Sequence, residues 1–469
     1  MITYDFAHID GSIYSYLYTC IKNDILSGIL KPGEKLPSKR TFANNNGIST
    51  ITIQNAYDQL ISEGYVYTIP KKGYYVANIE GMTRSIPNAD INYDIRIPIR
   101  ESFEYDLSSN GVNPDNFPFS VWTKLSREVM SNKKKELMEI SPTSGIRLLR
   151  EAIANHLKSF RGMLVDPNQI IIGAGTEYLY GYIVQLLGND KIYAIENPGY
   201  RKLVSIYKQR NISCKYAYMD DSGITVEGLK ESKADVAHIC PNHHFPTGIT
   251  MPASRRYEVL AWANAAEGRY IIEDDYDSEF RLEGKPIPTL FSIDECEKVI
   301  YMNTFSKSLS PTIRISYMVL PVHLANEFYK TMSFYSCTVS NFEQYTLAEF
   351  IERGYFEKHI NRMRLYYSKQ RRRIIDKLEA SQLKEVCEIQ ENDAGLHFLV
   401  RLDTNQTDEF VISKFKEKGV KVEALSDYYL TEEKEKQHLF IVNYSNLNEE
   451  KIDDAIKIIE ETVSGFRRC

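Results

Sequence analysis

The sequence predicts two unlike folded parts: a compact N-terminal module of three helices and a hairpin, then a long α/β region with a mainly parallel sheet and a small α+β lobe at its end. Three observations predict this. Residues 11–64 carry apolar side chains at helical spacing, punctuated by Ser38, Ser49, Gly28 and Gly64. The next stretch, YVYTIPKKGYYVANI, alternates about a Pro-Lys-Lys-Gly tip. From about residue 105 onward apolar strands alternate with amphipathic helices. At 469 residues the chain exceeds what a single hydrophobic core usually serves, so division into domains is expected.

Composition narrows the function classes. A net charge of −6 rules out a uniformly basic surface, so any contact with nucleic acid must be local. No window is apolar enough for a membrane span, and MITYDFAHID lacks the basic and apolar regions of a signal peptide, so a cytoplasmic protein is expected. The seven cysteines are irregularly spaced and form no CxxC pair, which suits free thiols and argues against a zinc site. His243 and His244 are adjacent and so point different ways, which argues against a metal role.

Residues 1–78 form the first domain. Ile13, Leu17, Ile21, Ile25 and Leu26 define one helix, and Ser38 caps a second that is expected to run through Ala43. After the Asn46-Gly47 turn, Ser49 caps a third helix that ends at Gly64. Helix, helix, tight turn, helix is the helix-turn-helix plan, and the hairpin beside it makes a winged version. The candidate double-stranded DNA face holds Ser38, Arg40, Ser49, Thr50, Thr52, Gln54 and Asn55, with Lys71, Lys72 and Gly73 at the wing tip. Thr50, Thr52, Gln54 and Asn55 suit base edges, whereas Arg40, Lys71 and Lys72 suit phosphates. Seven basic against six acidic residues leave this domain a net charge of only +1, so a small helical interaction domain is the alternative.

Residues 79–104 lose periodicity, carry Pro87 and Pro98, and read as a linker. Residues 105–469 follow as one domain, with a large lobe to about 360 and a small lobe from about 361. Strand signals in QIIIGAG, KIYAIENPGY, ADVAHIC and RYIIEDDY end in turns, where an α/β sheet collects its ligand groups. The basic run Arg371–Arg373 sits on an amphipathic helix and reads as a charged face.

Two stretches of the large lobe carry chemistry. In TFSKSLSPTIR, Lys307 follows a hydroxyl-rich turn and precedes Arg314 by seven residues. That is what a pyridoxal phosphate site needs: an amine for the imine, and small donors with a cation for the phosphate. In IIEDDYDSEF, Asp274 ends an apolar strand and suits the ring nitrogen, which must stay protonated for the ring to act as an electron sink. Tyr276 lies 31 residues before the lysine and suits the ring hydroxyl. Gly175-Thr176 opens a helix after a strand and offers free N–H groups to a phosphate, with Thr304, Ser306 and Arg314 completing the cradle. Tyr200, in a Pro-Gly loop, is placed to lie on the ring.

The stretch KPGEKLPSKRTFANNNGIST…AYDQLISEGYVYTIPKKGYYV resembles the winged helix-turn-helix of GntR-family bacterial regulators. Residues 105–469 resemble fold-type I aminotransferases, and EDDYDSEF, HHFPTGITMP and TFSKSLSPTIRISYMVLP are similar to the wording of the MocR (GabR-like) subfamily. The resemblance implies a homodimer, a Schiff base on Lys307, Asp274 at the pyridine nitrogen, Tyr276 at the ring and Tyr200 stacked. It also implies Gly175, Thr176, Thr304, Ser306 and Arg314 around the phosphate.

Three departures from the family pattern bear on function. Thr50 stands where the GntR pattern usually has a DNA-touching arginine. Ile441 stands about where aminotransferases clamp a substrate carboxylate with arginine, and Ile140 where a tyrosine reaches the partner subunit's phosphate. Without the clamp, a substrate is not oriented for efficient turnover. The expected function is therefore a transcription regulator that senses a small amino compound, or pyridoxal phosphate itself. The alternative is a working aminotransferase with a tethered DNA module.

Overall fold

The computed structural model describes residues 2, 4–6, 11–79, 95–98, 101–108, 111–281, 287–390, 395–429 and 438–466. It divides into two compact units, residues 1–100 and 101–469. Most of the linker expected at 79–104 lies outside the described residues.

The first unit runs α1 (Ile13–Leu26), β1 (Lys35–Leu36), α2 (Lys39–Asn46), α3 (Thr50–Ser62), β2 (Val66–Ile69) and β3 (Gly73–Val76). Ser38 and Ser49 cap α2 and α3 by accepting from Thr41 N at 3.2 Å and Thr52 N at 3.1 Å. Helix α2 passes the expected stop at Ala43 and ends at Asn46, where Gly47 closes it at φ 66°. Asn46 helps by donating from Nδ2 to Phe42 O at 3.1 Å. The wing gains a third strand, since β1 pairs with β3. Leu17, Ile21, Phe42, Ile53, Tyr57 and Leu60 are fully buried and form this unit's own core.

The second unit is built on an eight-stranded sheet. Its strands are β4 (Ile170–Gly173), β5 (Ile192–Asn197), β6 (Ser213–Asp220), β7 (Gly223–Ile224), β8 (Val236–Ile239), β9 (Tyr270–Asp274), β10 (Val299–Thr304) and β11 (Ser316–Val319), in the order β4-β11-β10-β9-β8-β5-β6-β7. Strands β6, β5, β8, β9 and β10 run parallel, while β11 runs against both of its neighbours. Consecutive apolar residues serve opposite faces: Ile271 and Val299 pack with Trp262 on one side, Ile272 and Ile300 with Leu179 on the other. Both faces are therefore buried, as a parallel sheet requires.

The small lobe follows α4 (Tyr355–Ala380). It consists of β12 (Cys387–Gln390), β13 (His397–Leu402), β14 (Glu423–Ala424), β15 (Leu439–Asn443) and α5 (Glu449–Phe466), with antiparallel sheet order β12-β13-β15-β14. Tyr105–Asp106 pairs with Val420–Lys421, so the start of the second unit is stitched into this lobe. Arg373 of the basic run is tied to Asp453 at 2.7 Å and Glu449 at 2.8 Å.

Candidate functional site

The carboxyl ends of β5, β8, β9 and β10 converge on a cavity of about 280 Å³. Its wall includes Lys307, Asp274, Tyr276, Tyr200, Thr176, Thr304, Ser306 and Arg314. Residues up to 138 positions apart in sequence thus reach one space, because the parallel strands all end on the same edge of the sheet.

The acidic run at the end of β9 is sorted by the pleat. Glu273 points away from the cavity and is fully buried, accepting from Leu290 N at 3.0 Å and Phe291 N at 2.9 Å. Burial pushes its carboxyl up to about 7. Asp275 is held by Arg161 Nη2 at 2.6 Å, Tyr301 Oη at 2.7 Å and Asn242 Nδ2 at 2.7 Å. Asp274 alone of the three lines the cavity. Its Oδ2 accepts from Tyr180 Oη at 2.8 Å and lies 3.5 Å from His238 Nε2. Its Oδ1 is buried and makes no hydrogen bond.

Lys307 sits on the helical turn Phe305–Ser308 directly after β10. Burial lowers its amine to about 7, against a smaller opposing pull from Asp277. Near neutral pH a large fraction of such an amine is the unprotonated nucleophile. The Tyr276 hydroxyl lies 3.1 Å from His243 Nδ1, which is itself 2.8 Å from Asp277 Oδ2. Tyr200 is 43% exposed and meets Phe245 edge-on, with ring centroids 6.1 Å apart.

At the other end of the cavity, Gly175 caps the helix Thr176–Leu187 at φ 101°. A Cβ built on it would stand 2.0 Å from Arg314 Nη2, so only glycine lets the guanidinium lie against this turn. Arg314 itself has φ 53° and donates to Glu177 Oε2 at 2.8 Å. Lys202 is also paired with Glu177, which commits a cation otherwise suited to an effector's acid group. The Thr304 hydroxyl caps its own turn, accepting from Ser306 N at 3.1 Å and Ser316 Oγ at 2.8 Å.

These residues fit a phosphorylated pyridine aldehyde. They provide an amine that readily gives up its proton near neutral pH, a buried carboxylate oxygen with no partner, and a glycine turn with an arginine laid across it. Tyr180, His238 and Glu177 belong to the same site and were not singled out from the sequence. Tyr180 reads there as a core aromatic and Glu177 as a helix-start acid, so neither carried a distinguishing signal.

In the first unit, Arg40, Thr50, Gln54, Asn55, Lys71 and Lys72 are exposed, while α3 turns Ile53, Ala56, Tyr57 and Leu60 inward. Ser38 and Ser49 spend their side-chain oxygens on the caps, and Thr52 Oγ1 lies 2.8 Å from Ser49 Oγ. Ile51 is 71% exposed beside Thr50, an apolar group on the open side of the third helix that sequence reasoning passed over. Turn residue Lys71 adopts φ 62° and Gly73 φ 118°, which sets the basic tip of the wing.

The two departures in the second unit have clear surroundings. Ile441 of β15 is 2% exposed and packs with Leu399, Leu425 and Leu439, so its surroundings are apolar. Ile140 is 84% exposed. No helix of the described residues is long and apolar enough to cross a membrane.

Residues 13–76 match the family described as bacterial regulatory proteins, gntR family, and residues 105–459 match aminotransferase class I and II. An uncharacterized HTH-type transcriptional regulator of Bacillus subtilis (strain 168), YdeL, is 36% identical over 90% of this chain and 90% of its own length. The HTH-type pyridoxine biosynthesis transcriptional regulator PdxR of Corynebacterium glutamicum is 28% identical, again over 90% of each chain. The kynurenine aminotransferase of Pyrococcus horikoshii superposes with a TM-score of 0.67 at 25% identity, covering 78% of this chain and 91% of its own. The second unit is thus a pyridoxal phosphate-binding fold. The DNA-reading match in front of it, and relatives that share both parts along nine-tenths of their length, decide the assignment: the chain belongs to the MocR-like HTH-type transcriptional regulators of the GntR family.

Proposed function

We propose that this regulator holds pyridoxal phosphate at Lys307 and uses it to sense a small amino compound, or the cofactor itself, with little or no turnover. The observation that carries the reading is an amine lowered to about 7 in the same cavity as Asp274 and Arg314. When bound, pyridoxal phosphate supplies an aldehyde that takes up primary amines and a ring that draws electrons from them. Lys307 provides the attaching amine, and Asp274, steadied by Tyr180, holds the proton on the ring nitrogen. Tyr276 addresses the ring hydroxyl and Tyr200 covers the ring. The Gly175-Thr176 turn, with Thr304, Ser306 and Arg314, holds the phosphate.

Ile441 supports sensing over catalysis. An α-amino acid needs a fixed cation for its carboxylate if the proton at its α-carbon is to be moved efficiently, and the strand that would carry one is apolar here. The pyridoxine biosynthesis role named for the Corynebacterium relative supports pyridoxal phosphate as one of the signals. Met138, Ile140, Phe334 and Phe342 are exposed apolar residues on segments that Asn341 ties together through Glu136 O and Glu139 O, which supports a homodimer. The DNA face of the first unit addresses double-stranded operator DNA in the cytoplasm, and Thr50 in place of arginine alters which bases are read. A ligand changes the output only if it binds the two DNA-binding states unequally.

The test is operator affinity of purified full-length protein, measured without cofactor, with pyridoxal phosphate, and with the cofactor plus a panel of amines and amino acids. The expected result is an affinity that changes with loading and does not change in Lys307→Ala. Steady release of keto acid, lost in Lys307→Ala and accompanied by an operator affinity indifferent to loading, would instead show a working aminotransferase.

A further inference from the structure

The cations at the phosphate end of the cavity are already engaged by an acid of this same chain. Glu177 is the second residue of the helix Thr176–Leu187, two positions past the turn glycine. Its Oε2 accepts from Arg314 Nη2 at 2.8 Å, and its other carboxylate oxygen is paired with the Lys202 amine. Both cations and Glu177 line the cavity that holds Lys307. Lys202 and Arg314 together hold the Glu177 carboxyl below the usual range, so it is ionised at neutral pH. An acid in the first turn also meets the positive end of the helix dipole. Glu177 therefore draws on the arginine and the helix terminus that a phosphate at this turn would use, and on Lys202 as a third positive charge.

We infer that Glu177 is an internal competitor for the cofactor's phosphate, one that lowers affinity and makes loading reversible. This rests on the pyridoxal phosphate reading above and deepens it. A phosphate monoester brings between one and two negative charges to the turn near neutral pH. With Glu177 ionised, Arg314 and Lys202 leave a local surplus of one positive charge, which is less than a dianion needs. The guanidinium must also give up, or share, its bond to Oε2 before it can grip the phosphate with both N–H arms. A regulator whose signal includes the cofactor's own concentration requires binding that follows supply. Glu177 sets the affinity in that direction while stabilising the unloaded turn.

The test compares the full-length protein with Glu177→Gln, which keeps the size and hydrogen-bonding capacity and removes the charge. Three probes are titrated, by absorbance or by intrinsic fluorescence: pyridoxal phosphate, pyridoxine phosphate, which has the phosphate but no aldehyde, and pyridoxal, which has the aldehyde but no phosphate. The expected result is about tenfold tighter binding of both phosphorylated probes, an order set by one like charge at contact range of a partly exposed site, with pyridoxal unchanged. The melting temperature of the unloaded variant falls, and the rise on adding pyridoxal phosphate becomes larger than in the parent. Unchanged or weaker binding of the phosphorylated probes overturns the inference, as does equal tightening of all three, which would place the effect at the ring. If the parent protein binds no pyridoxal phosphate at all, the failure lies with the cofactor reading and not with Glu177.

Discussion

Tyr180 Oη donates to Asp274 Oδ2 at 2.8 Å, and this buried bond restrains how the carboxylate can turn. Tyr180→Phe removes the donor and leaves Oδ2 with only the more distant His238. The expected loss is about 1–2 kcal/mol of folding stability, the order for a buried hydrogen bond whose acceptor is left unsatisfied. Pyridoxal phosphate binding weakens severalfold, because the aspartate is free to turn. Denaturant unfolding and an absorbance titration check the two effects separately.

Lys307 predicts a pH dependence of cofactor uptake. Its amine is depressed to about 7, so it is mainly protonated and unreactive below that pH and mainly neutral above it. The rate of the absorbance change on mixing with pyridoxal phosphate should fall about tenfold for each pH unit below 7 and level off above it. Lys307→Ala should show no such band at any pH. A rate that instead kept rising to the range of an ordinary lysine would place the amine in water rather than in the cavity.

The pair Arg161–Asp275 predicts the most sensitive point of the scaffold. The two groups meet at 2.6 Å with side chains 5% and 1% exposed, and Tyr301 and Asn242 complete the aspartate's bonds. Arg161→Ala leaves an unpaired buried carboxylate next to Asp274, at an expected cost of about 3–5 kcal/mol. Unfolding of the second unit in denaturant measures this. The double variant Arg161→Met with Asp275→Leu should recover part of the loss, since removing both charges removes the uncompensated one.

These residues also show what was legible beforehand. Lys307, Asp274 and Arg314 stand out because each lies at a strand end or on a turn with short-range punctuation that survives in one dimension. The bonds of Glu177 to Lys202 and Arg314 span 25 and 137 positions, so they exist only after the strands are aligned. The two-residue strand Lys35–Leu36 is too short to carry a period. The run Asn44-Asn45-Asn46 has weak helix propensity and suggested an early stop, whereas burial of Phe42 and the Gly47 cap carry α2 through it. The pairing of Tyr105–Asp106 with Val420–Lys421 joins segments more than three hundred residues apart, which no local pattern announces.

The proposed DNA face separates into two kinds of residue with different expected signatures. Gln54 and Asn55 are exposed on α3, whose buried face carries Ile53 and Tyr57, and suit base edges. Gln54→Ala or Asn55→Ala should each cost about 1–3 kcal/mol at the preferred operator and much less on unrelated DNA. Ile51, exposed beside them, suits a thymine methyl, so Ile51→Ala should weaken only operators with thymine at the matching position. Lys71 and Lys72 at the wing tip suit phosphates, so alanine at either should weaken every sequence alike and reduce the salt dependence of binding by about one ion. Binding measured over a salt series, on operator and on scrambled duplex, distinguishes the two classes. If the lysine variants changed sequence preference while the glutamine and asparagine variants changed only the salt slope, the wing and not the third helix would be reading the bases.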